Sequence, residues 1–280
     1  MLKKRQFRFI LNDYLLIWDF LIKTINYMKN LFLTLALAFS FSINAQHAVM
    51  WAVDLKDGGE KQYLELESFY SEIHKEAVKQ GLRSGWSVWK RTPKEGDEDS
   101  AAEYFIFDNY SSIEQMEAGV DNQAIAQKVY KGKMSRRAIA KMFDNSAYDA
   151  EKERRVYRLK AVDFTIRAGG KIKKGDKATI NLMNKKSDDF ESYESEVWKP
   201  VAEKNILKGN LRQWILAEAV DRSENAYEGW THMAWNLRAE NPGEWYSPSG
   251  FKWDKLWEGI ESARDMADAV ELTCVFSAED

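Results

Sequence analysis

Twice along its length this chain runs through the same order of elements, strand, helix, two strands, helix, strand, and few arrangements bury both copies of such a unit. In the first half, Ala48 to Leu55 is strand-like. Lys61 to Gln80 then sets Tyr63, Leu66, Tyr70, Ile73 and Ala77 at the three-four spacing of an amphipathic helix, which Gly81 ends. Ser87 to Arg91 and Glu103 to Phe107 read as a hairpin across the polar turn from Thr92 to Ser100. Ser111 with Glu114 gives a capping-box signature for a long, broken helical stretch between Ser112 and Phe143, and Val156 to Phe164 returns as a strand. The second half replays the order. Its strands are Ala178 to Met183, Leu211 to Ala217, Gly229 to Leu237 and Leu272 to Phe276, and its helices are Asp188 to Lys204 and Phe251 to Met266. Pro200 is expected to kink the first of those helices or end its first segment near Lys199.

Local similarity supports the duplication. Ser71-Glu72-Ile73-His74-Lys75 matches Ser195-Glu196-Val197-Trp198-Lys199, Gly85 recurs as Gly209, and Trp89 and Trp214 follow on corresponding strands. In this order of elements the chain resembles the dimeric α+β barrel superfamily, in which ferredoxin-like βαββαβ units pair through their sheets. The resemblance implies an α+β fold of two tandem units, residues 46–166 and 167–280, paired as a pseudo-dimeric barrel within one polypeptide. It covers most of the chain as fold order alone, and no signature selects a family. The superfamily holds cofactor-independent monooxygenases, haem-degrading oxygenases, dye-decolorising peroxidases and stress-responsive proteins without an assigned reaction, so fold constrains function poorly.

The join between units, Ala168 to Lys177, is rich in Gly and Lys and reads as a tight surface turn. A phosphate-cradling loop is excluded there, because Asp176 stands where its lysine belongs and the hydroxyl residue is absent.

Ahead of the repeat, Met28-Lys29-Asn30, an apolar run from Leu31 to Ile43, and Asn44-Ala45-Gln46 read as a secretory signal peptide over 28–45, cleaved near Ala45. The alternative, a membrane anchor, lacks a charged stop-transfer flank, and the apolar core is too short to span a bilayer. Residues 1–27 read as an upstream leader or a misread start. The expectation is an exported protein, periplasmic or secreted, with no transmembrane segment in the mature chain.

The leader carries six of the 41 Lys and Arg and two of the 44 Asp and Glu, which leaves −7 on the remainder and argues against nucleic acid as a partner. The only cysteine, Cys274, can form no disulfide within the chain. Three histidines without metal-ligand spacing make a metal site improbable, and the sequence names no cofactor and no oligomeric state.

The unusual quantity is tryptophan, 11 residues, of which all but Trp18 follow the leader. Strand alternation sets His232 with Trp230 and Ala234 on one face and Met233 with Trp235 on the other. In the fold this chain resembles, the ligand cavity lies between the concave sheet and its own helices. A strand-borne histidine beside tryptophan there serves as an acid/base or a haem ligand; otherwise it pairs with a neighbour between the sheets. His74 borders the apolar stripe of its helix and is matched in the repeat by Trp198. It either marks an occupied polar cavity or caps the core. Trp245, in the turn-forming stretch Asn241 to Pro248, closes over a ligand or packs under the last helix. Trp86, Trp89 and Trp214 carry the same choice between pocket wall and core.

Three readings follow. The leading one is an exported protein that binds a small apolar or aromatic molecule in a pocket lined by Trp86, Trp89, Trp214, Trp230, Trp235, Trp245 and His74. The second is an oxygenase or haem-handling enzyme using His232 as its catalytic residue. The third is a non-catalytic interaction module of the envelope.

Overall fold

The computed structural model describes residues 47–98, 101–144 and 149–280; the leader and signal-peptide reading falls outside the described residues. Among the described residues, nine strands form one antiparallel sheet: β1 (His47–Leu55), β2 (Gly85–Arg91), β3 (Tyr104–Tyr110), β4 (Glu151–Phe164), β5 (Lys177–Lys185), β6 (Leu211–Arg222), β7 (His232–Arg238), β8 (Arg264–Met266) and β9 (Val270–Ser277). Eight of them close on themselves in the order β2-β3-β1-β4-β6-β7-β5-β9, with β9 returning to β2. Each half keeps its own four strands in the order second, third, first, fourth. The halves join twice in the same way, the second strand of one against the fourth strand of the other, as β2–β9 and β4–β6. This is the α+β architecture of a dimeric α+β barrel, with both units supplied by one chain. Closure removes the exposed sheet edges that would otherwise template aggregation. The short β8 lies along β5 past the end of β9, Met266 opposite Met183.

The helices lie against the outside of the barrel. In the first half these are α1 (Glu60–Lys79), α2 (Ile113–Ala118), α3 (Asn122–Val129) and α4 (Arg136–Asp144). In the second they are α5 (Phe190–Ser192), a π-helical turn (Tyr193–Trp198), α6 (Lys199–Leu207) and α7 (Phe251–Ala263). The expected long helix is thus broken into three. Its first cap is Ser112, whose hydroxyl accepts from the Gln115 N–H while the Gln115 side chain returns to the Ser111 N–H, one residue later than the Ser111–Glu114 pair read from the sequence. Pro200 acts as expected of a residue without an N–H: the chain takes a π turn before it and resumes α-helix with Pro200 in the first turn.

Alternation along the strands divides the core into a lumen and two outer layers. Met50, Ala52, Trp89, Phe105, Phe107, Leu159, Ile180, Met233, Trp235, Leu237, Leu272 and Cys274 fill the lumen. Val53, Tyr63, Trp86, Val88, Tyr104 and Ile106 pack between sheet and helix in the first half. Met183, Phe190, Leu211, Trp214, Leu216 and Ala234 do so in the second. Burying each large apolar side chain contributes about 1.5–3 kcal/mol, so the lumen alone is a major source of stability. A register slip between Leu211 and Gln213 shifts the alternation of β6. Trp89 therefore points into the lumen, whereas Trp214, on the corresponding strand, points to the helices. Two boundaries also differ from the sequence reading. The strand of His232 begins at His232, not Gly229, and the last helix stops at Ala263, where the chain turns into β8. Among the described residues no helix is long and apolar enough to cross a membrane.

Candidate functional site

The residues singled out in the sequence fall into three separate compartments and do not line one cavity. Trp89 and Trp235 meet edge to face in the lumen with ring centroids 4.8 Å apart. Trp230 joins the lumen cluster too, tilted 4.9 Å from Tyr157, because it precedes the strand and escapes its alternation. The expected face-sharing of Trp230 with His232 is thereby corrected. Trp86 and His74 belong to the outer layer of the first half. Trp214, Trp245 and His232 belong to the outer layer of the second, where Trp198 also packs.

In the first half, the His74 ring stacks 4.5 Å from Trp86 and 5.9 Å from Tyr70. Its Nδ1 has no hydrogen-bond partner, and burial, reinforced by the nearby Arg83 cation, holds its pKa well below the usual imidazole range. Arg83 forms a buried ion pair with Asp108. The stacking leaves His74 as a neutral wall of the core.

The second outer layer is more reactive. His232 is 1 % exposed, stands edge-on 4.8 Å from the Phe190 ring, and is hydrogen-bonded at one end of its imidazole, with a carboxylate facing the other. Nδ1 lies 2.9 Å from Thr231 Oγ1, and Nε2 faces Glu191 Oε1 at 3.3 Å without the alignment of a full hydrogen bond. Thr231 is itself fixed, accepting the Lys185 N–H at 2.9 Å. Burial lowers the His232 pKa, and Glu191 and Glu218 pull the other way, so the ring is a neutral base near neutral pH.

One turn beyond Glu191, on the π turn, stands Glu194, 0 % exposed. Its Oε1 pairs with Arg264 of β8, whose guanidinium also reaches Met183 Sδ at 2.9 Å, and its Oε2 has no partner. Burial raises the Glu194 pKa to about 7 despite Arg264. Sequence reading missed Glu191, Glu194, Thr231 and Arg264, because charged residues on an amphipathic helix read as its solvated face. The available signal was spacing: Tyr63 precedes Glu67 by four residues as Phe190 precedes Glu194. Around these groups pack Tyr193, Trp198, Trp214 and Trp245, with Trp257 of α7 5.9 Å from Trp198. The layer thus offers a neutral base, a carboxyl oxygen in need of a donor, and aromatic walls. Among the described residues no cluster of three or more His, Cys, Asp or Glu is arranged to hold a metal ion.

No protein-family model matches the chain, and no curated protein matches it in sequence. Solved structures do resemble it. A protein of Lactobacillus acidophilus NCFM, provisionally described as a monooxygenase, superposes with a TM-score of 0.51 at 8% identity, over 84% of this chain and 96% of its own. A second such provisional monooxygenase, from Fusobacterium nucleatum subsp. nucleatum ATCC 25586, gives a TM-score of 0.50 at 8% identity, over 84% of this chain and 94% of its own. At such identity the likeness shows the dimeric α+β barrel fold and nothing of the chemistry.

Proposed function

We propose that this is an exported protein that binds a small aromatic molecule in the outer layer of its second half, against His232. The single observation that carries the reading is the arrangement there: a neutral imidazole held between Thr231 and Glu191, and a fully buried carboxyl with one oxygen unpaired, both among aromatic rings. Buried polar groups are normally satisfied, so an orphaned one inside an aromatic layer supports a missing partner. Export rests on the segment from Met28 to Ala45.

A second reading, acid/base catalysis, is favoured by the His232 geometry, since a buried neutral imidazole oriented through Nδ1 is built to accept a proton at Nε2. Haem does not fit this residue. The ring is 1 % exposed, Nδ1 is engaged by Thr231, Nε2 faces Glu191, and Phe190 packs 4.8 Å away, so no ring nitrogen is open to a metal.

The test is calorimetric titration of the purified protein with naphthalene and with 2-naphthol. Saturable binding of at least one is expected, and binding of neither overturns the reading. If Nε2 of His232 accepts from the ligand hydroxyl, 2-naphthol binding weakens as acid protonates the ring, and His232→Gln loses that pH dependence. Wild-type binding with no such pH dependence removes the catalytic reading and leaves the binding one.

A further inference from the structure

Both halves bury an aromatic ring four residues ahead of a carboxyl, with an arginine nearby, and the ring differs between them by its hydroxyl. In the first half, α1 buries Tyr63 and, four residues on, Glu67, and the start of β4 brings Arg154 near them, itself held at two nitrogens by Glu151. In the second, the helix buries Phe190 and, four residues on, Glu194, and the short β8 supplies Arg264. Both aromatic rings are 0 % exposed, and both carboxyls lie between sheet and helix. The difference is the phenol oxygen. The Tyr63 hydroxyl sits beside the Glu67 carboxyl, in imperfect alignment, and favours its charged form. Phe190 carries no hydroxyl, and Glu194 Oε2 is left without a partner.

We infer that Glu194 is the specificity-determining residue of the second half, and that its free oxygen receives the hydrogen bond of a neutral hydroxyl on the bound aromatic molecule. This rests on the proposal that an aromatic ligand occupies that layer. The ligand's hydroxyl takes the place that the tyrosine oxygen holds in the first half. The charge balance selects a neutral donor over an ammonium: Arg264 already compensates the one negative charge of Glu194, and a cationic ligand would bury a surplus positive charge. Selection for hydroxyl over hydrogen follows the usual asymmetry of buried polar groups, in which a ligand lacking the donor leaves the carboxyl oxygen unpaired.

The experiment compares 2-naphthol with naphthalene, which differ only in that hydroxyl, on the wild-type protein and on Phe190→Tyr. A hydrogen bond to a buried charged group corresponds to about a tenfold preference for 2-naphthol. Phe190→Tyr supplies the oxygen from within, and the preference is expected to fall to near unity while the melting temperature holds or rises. Should that variant fail to fold, Glu194→Gln, which keeps the shape and offers an N–H in place of a carboxylate oxygen, must also reduce the preference. The same ratio in the wild type and in the folded variants overturns the inference. So does equal binding of the two probes by the wild type, which sinks this inference and leaves the aromatic-binding reading standing. Binding of neither probe fells both. Tyr63→Phe, made in the other half, is expected to leave the preference untouched.

Discussion

At the scale of the residue, the buried ionisable groups pull stability in opposite directions with pH. His74 holds its pKa well below the usual value because burial penalises its charged form. A base depressed in the folded state contributes stability above the unfolded pKa, about 6.5, and that contribution is lost as pH falls, because the unfolded chain takes up the proton first. Glu67 behaves in the reverse sense. Burial raises it to about 7, so its contribution is greatest in acid and is lost as pH rises toward that value. The groups facing His74 are Tyr70, Trp86 and Arg83. His74→Phe preserves the stack on Trp86 and removes the titration. Between pH 7 and 5 the wild type is therefore expected to lose up to about 2 kcal/mol more than the variant, read from urea midpoints at the two pH values. Parallel losses in both proteins would show that His74 is not the acid-sensitive group.

At the scale of the element, the second half depends on one close crossing. A Cβ built on Gly259 of α7 would stand 2.5 Å from the Tyr193 hydroxyl oxygen and 2.6 Å from two ring carbons, well inside van der Waals contact. Glycine there lets α7 lie directly on the π turn that carries Glu194, and any larger residue must push the Tyr193 ring aside. Gly259→Val is expected to destabilise the protein by about 1–3 kcal/mol by denaturant titration and to weaken 2-naphthol binding. Unchanged stability and binding would mean that the ring swings away at no cost. Such crossings were not legible in the sequence, whereas the elements themselves were. Strand and helix order followed from periodicity, because each element buries one face and must repeat its apolar residues at 2 or 3.6. What escaped were the irregularities that change phase. The slip after Leu211 sends Trp214 outward while Trp89 faces in, and the late start of β7 frees Trp230 from the face of His232. Glu194, like Glu67 on the regular helix of the first half, is buried on the face where pattern alone would leave an acidic residue in water. The candidate site was legible as His232, Trp214 and Trp245 but not as its charged members, since backbone phase and not residue type decides what surrounds them.

At the scale of the whole molecule, the duplication makes the barrel a shared core that neither half completes alone. Trp89 and Phe107 of the first half both rest on Trp235 of the second, at 4.8 Å and 5.2 Å. Two strand seams, β2–β9 and β4–β6, close around them. The covalent joint contributes little to this closure. Arg212 grips it by donating to Gly170 O and Lys171 O, 2.7 Å and 2.9 Å away, and to Asp176 Oδ2, and Arg167 ties its entrance to Glu279. A protease site inserted between Gly169 and Gly170 and cut in the folded protein should therefore yield two fragments that stay together. Each large lumen side chain contributes about 1.5–3 kcal/mol of burial, so a handful from each side exceeds the roughly 4–15 kcal/mol that holding two chains together costs. On gel filtration the cut protein is expected to elute as the intact one does and to separate only in denaturant. The cut protein should also unfold at a lower denaturant midpoint when diluted, a concentration dependence the intact chain lacks. Fragments that drift apart in native buffer would mean that each half closes its own core, and the lumen could not then be the joint product of both.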